Sequence, residues 1–74
     1  MNTAELLNIV KTATGKSKVM LTIAEFADIA GYSYGRIWQA CHGGKLMHVQ
    51  NCVGGHIKIH IRELGRVMDG KVIL

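Results

Sequence analysis

Between Ser33 and His42 the chain sets out a short polar face that could do recognition chemistry. Projected at about 100° per residue, Gly35, Arg36, Gln39 and His42 fall together, opposite a face centred on Ile37 and Cys41 and flanked by Tyr34, Trp38 and Ala40. The arginine brings a fork of donors, the glutamine a paired donor and acceptor, and the histidine either role. Gly35 leaves the start of the face without a side chain, at a cost of about 0.5–1 kcal/mol relative to alanine in a helix interior. An exposed glycine there suits something that must approach the backbone closely. These are the requirements of a helix in a DNA major groove, with Arg to guanine and Gln to adenine. Trp38, beside Ile37 and Cys41, is expected to pack rather than to read.

A second set lies downstream. In "HIKIHI", residues 56–61, His56, Lys58 and His60 alternate with Ile57, Ile59 and Ile61, the pattern of a strand with one buried face. Its free face is basic and follows a Gly54-Gly55 turn, which suits a wing over a phosphate backbone or in a minor groove.

Capping signals mark the elements that must hold these residues. Thr22-Ile23-Ala24-Glu25 is a capping box, and Ile23, Phe26, Ala27 and Ala30 form one apolar face of a helix that Gly31 closes. Ser33 caps a second helix running to about His42, where Gly43-Gly44 stops it. Two helices joined by a short glycine-containing turn form a helix-turn-helix pattern. Leu46, Val49 and Val53 with the 56–61 strand predict a two-stranded hairpin with its tip at Gly54-Gly55. Ile61, Leu64 and Met68 return to helical spacing over 61–69, and Val72-Ile73-Leu74 is an apolar tail. Before the pair, residues 1–15 predict an accessory helix with Leu6, Leu7, Val10 and Ala13 inward, capped by Asn2 or Thr3 and closed by Gly15. Val19 to Leu21 is a brief extended run.

Seventy-four residues set the expectation of one small α+β domain. Nine Lys and Arg stand against five Asp and Glu, so the surface field suits a polyanion. Nothing approaches the roughly 18 apolar residues of a membrane span, and two cysteines are too few for a disulfide scaffold. A cytoplasmic protein without cofactor is expected. Cys41, Cys52, His56 and His60 are a Cys₂His₂ inventory, but ten residues separate the cysteines where zinc sites place two to four, and no metal is expected. Scattered acids and the lack of a P-loop argue against an enzyme.

The segments "LTIAEFADIAGYSYGRIWQACHGGKL" and "VGGHIKIHIREL" together resemble the winged helix-turn-helix domain of phage excisionases and MerR-type regulators. The likeness covers Leu21 to about Met68 and rests on the order of elements: capped helix, short turn, recognition helix, two-stranded wing (46–60), short helix. It implies a protein that binds double-stranded DNA through 22–42. Gly35, Arg36, Gln39 and His42 would reach the major groove, His56 and Lys58 would lie in the wing, and Ser33 and Tyr34 would meet phosphate. It further implies an excisionase-like factor that binds and bends attachment-site DNA beside an integrase in a bacterial host, associated with the nucleoid. A small transcriptional regulator shares this chemistry. A single module buries little surface, so cooperative binding to tandem sites or self-association is expected. A reading of another class is a protein-interaction module using the apolar face of the N-terminal helix.

Overall fold

Three side-chain oxygens open three helices. In the computed structural model, which describes residues 1–50 and 56–74, α1 (Thr3–Thr14) begins at Asn2, whose side chain accepts from the Glu5 N–H while Glu5 reaches back. The Thr22–Glu25 box opens α2 (Ile23–Ala30) in the same way. Ser33 accepts from the Arg36 N–H at the head of α3 (Tyr34–His42). Gly15 and Gly31 close α1 and α2 at φ 81° and 80°, a left-handed conformation that a Cβ would oppose. The Gly31 and Tyr32 N–H groups both donate to the Ala27 carbonyl, so the chain turns within residues 31–33 and enters α3.

The sheet departs from the expected two-stranded hairpin. Among the described residues it is three-stranded and antiparallel, with β3 (Ile57–His60) between β1 (Met20–Thr22) and β2 (Val49–Gln50). Leu21 pairs with Ile59 across one edge, and Gln50 with Ile57 across the other. The extended run before α2 is thus a strand because β3 needs a partner on both sides, and Leu21 and Ile59 are both fully buried. The expected hairpin tip at Gly54-Gly55, with Cys52 and Val53, lies outside the described residues.

Helix α4 (Ile61–Met68) follows β3 directly, with His60 as its N-cap. Phe26, Ile37, Leu46, Ile59, Ile61 and Leu64 form the centre of one core, to which α1 adds Leu6 and Val10. Helix α1 lies so close to α4 that a Cβ on Gly65 would sit 3.1 Å from Leu6 Cδ1. Met68, expected on the apolar stripe of this helix, is 39% exposed, and the buried set is instead Ile61, Glu63, Leu64 and Gly65. Val72 and Leu74 fold back onto the core while Ile73 points outward.

Candidate nucleic-acid interface

Helix α3 is amphipathic, as its spacing predicts, with Ile37, Ala40 and Cys41 buried and Gly35, Arg36, Gln39 and His42 exposed. Beyond the backbone of its own helix and its two chain neighbours, nothing among the described residues comes within 4 Å of a Cβ placed on Gly35, and its φ is not positive. The fold itself therefore does not require glycine there. Ser33 spends its acceptor oxygen on the cap, and Tyr34 projects from the first turn, 57% exposed.

Trp38 is a correction. It does not pack into the core but stands 45% exposed, because the buried arc of α3 runs Ala40, Ile37, Cys41 and Trp38 lies roughly 100° from its centre. Its indole covers His42 instead, with ring centroids 3.9 Å apart. Tyr34 and Trp38 share a groove of about 460 Å³ with Thr22 and His56, so the start of β3 faces α3 across an aromatic wall.

The structure divides the expected wing residues. His56 belongs to that groove. Lys58 lies on the outer face of the sheet, in a smaller recess with His48, His60, Arg62 and Glu63. His42 links the two surfaces, its ring 6.3 Å from that of His48. His60 also serves the fold, since its Nδ1 accepts from the Arg62 N–H at 3.1 Å and caps α4. On the far flank of α3, Arg36, Gln39 and Lys45 line another recess, closed by Leu74.

Charge separates along the chain in a way that composition hides. Residues 29–62 contain Arg36, Lys45, Lys58, Arg62 and all four histidines, and no aspartate or glutamate. Of the five acids outside that span, three are held in ion pairs. Lys18 pairs with Glu25 and, together with the Thr22 N–H, holds its carboxyl below the ordinary value of 4.5. The N-terminal ammonium does the same to Asp69. Glu63, 1% exposed, accepts from the Met47 N–H at 2.8 Å and from Arg66 at 2.9 Å. Sequence reasoning missed Glu63, since glutamate reads as surface by type; only the Glu63–Arg66 spacing hinted at a pair. It fastens the segment before β2 to α4.

Cys41 is inside the core, where burial first and the Glu63 carboxylate second push its thiol up. It suits neither metal binding nor nucleophilic attack. No cluster of three metal-ligating side chains exists among the described residues, and Cys52 lies outside them. No described helix is long and apolar enough to cross a membrane. Comparison with known proteins found no matching family model, no matching curated protein and no matching solved structure.

Proposed function

We propose that this chain is a sequence-specific double-stranded DNA-binding protein of the winged helix-turn-helix type, with α2 and α3 as the helix pair, α3 in the major groove and β2–β3 as the wing. The observation that carries this reading is the exposed Gly35–Arg36–Gln39–His42 face inside a 34-residue span, 29–62, without an acidic side chain. A groove-reading helix needs donors and acceptors that point outward. It also needs surroundings that do not repel phosphate. Both conditions are met on the same helix, and the glycine at its second residue leaves room for close approach.

The order of elements from Leu21 to Met68 supports the excisionase-like reading, in which the protein bends attachment-site DNA with an integrase. A small transcriptional regulator would use the same surface, and both place the protein on the nucleoid of a bacterial cytoplasm. The interaction-module reading keeps less surface than the spacing offers, because Leu6 and Val10 of α1 are buried in the core while Leu7 and Ile9 are only partly covered. Cooperative binding to tandem sites belongs to the proposal, and sedimentation with multi-site duplexes tests it.

Selection of bound sequences from a randomised duplex pool tests the reading. Wild type enriches a defined motif, whereas Gln39→Ala relaxes one position of it, for a loss of about 1–3 kcal/mol of discrimination. A pool that emerges without any motif contradicts sequence-specific reading.

A further inference from the structure

Arg36 does not stand on the crest of α3. The line opposite the buried residues passes between positions 35 and 39, and Arg36 lies roughly 80° round from it, on the flank away from Trp38. There its guanidinium meets Lys45 and Gln39 around a recess of about 270 Å³ that Ala40 and Leu74 complete. Two full positive charges thus share a hollow with no acidic side chain lining it.

An oxygen already sits at this place. Arg36 Nη1 donates to the main-chain oxygen of Leu74 at 3.1 Å. That contact uses one of the five guanidinium donors, where a phosphate would engage the fork in two parallel bonds. Residues 71–74 are lightly held: the Lys71 N–H donates to the Arg66 carbonyl, Val72 and Leu74 are half-buried, and Ile73 is 85% exposed.

We infer that the Arg36–Lys45 recess is a phosphodiester site for duplex DNA, in which the Leu74 oxygen is a stand-in that DNA displaces. Arg36 then grips the backbone, while Gln39 and the bare Gly35 backbone face the bases. This rests on the DNA-binding reading and changes one role within it: Arg36 sets affinity and orientation rather than sequence.

Two measurements test it. The first follows anisotropy of labelled A·T-rich, G·C-rich and mixed duplexes across salt, with wild type, Arg36→Ala and Lys45→Ala. Each variant should weaken all three duplexes by the same factor and flatten the slope of log K against log salt by about 0.9. A loss confined to one duplex type, or an unchanged slope, overturns the phosphate assignment while leaving DNA binding standing. The second uses wild type alone: the methyl resonances of Ile73 and Leu74 should move to free-chain positions as duplex is added. Resonances that stay put overturn the displacement. Wild type that binds no duplex at low salt removes the underlying reading as well, a result distinct from either failure.

Discussion

Helices α1 and α3 are built by the same local rules and end in different roles. Each is opened by an oxygen cap, carries a buried stripe and stops at glycine. On α1 the stripe is covered by α4, and the outer face mixes Glu5, Asn8, Lys11 and Thr12. On α3 the outer face carries Arg36, Gln39 and His42 with no acid, and an aromatic residue projects at each of two turns. The two glycines sharpen the contrast. A Cβ on Gly65 would crowd the Leu6 side chain, whereas one on Gly35 would meet no neighbouring element. One side of the molecule spends its sequence on closing the core, and the other keeps side chains free that the core does not use.

The largest expected effects fall on the packed side. Glu63→Ala leaves the Met47 N–H without its carboxylate partner, and unfolding by denaturant should show a loss of about 1–3 kcal/mol. Glu63→Gln, which keeps an acceptor, should lose less. Gly65→Val drives two methyl groups towards Leu6 and should cost about 1–3 kcal/mol by overpacking. An equal tolerance of valine at position 65 and alanine at position 35 would erase the comparison.

Gly35→Ala should act in the opposite sense. It meets no neighbour, so stability should rise by up to about 0.5–1 kcal/mol, while specific DNA binding weakens. Unchanged binding would make the glycine irrelevant to the surface.

The smallest effect concerns Glu25. Its carboxyl is held below 4.5 in the folded chain by Lys18 and the Thr22 N–H, so the unfolded state takes up the proton first as pH falls. The stabilisation is therefore fully present above pH 4.5 and is lost as pH drops through the folded value below it. A thermal melting series from pH 6 to pH 3 should show this loss in wild type and not in Glu25→Gln, with a size of about 0.2–1 kcal/mol for so accessible a pair.

What is legible in the sequence follows the range of the interactions. The caps at Thr22 and Ser33 and the stop at Gly31 are each written within four residues of chain, and each stands where its spacing predicts. The polar face of α3 and the alternation in β3 are equally local. The extended run at Val19 to Leu21 is legible, but its place at the edge of the sheet is not, because its hydrogen-bonding partner lies in residues 58–60. Trp38 was misplaced because a projection gives an angle but not the width of the buried arc. Glu63 was missed because its burial depends on Met47 and Arg66 meeting it in space. The separation of the wing residues into His56 on one surface and Lys58 on another is a consequence of the sheet, not of alternation alone.

The most direct test of the central claim is a titration of unmodified protein into labelled duplex DNA at salt concentrations from 50 to 200 mM, in roughly the range where phosphate contacts are felt most strongly. Binding should be tight at low salt, and log K should fall linearly with log salt at a slope set by several phosphate contacts. Binding that is absent at low salt, or present but indifferent to salt, would contradict the assignment of the exposed α3 face to DNA.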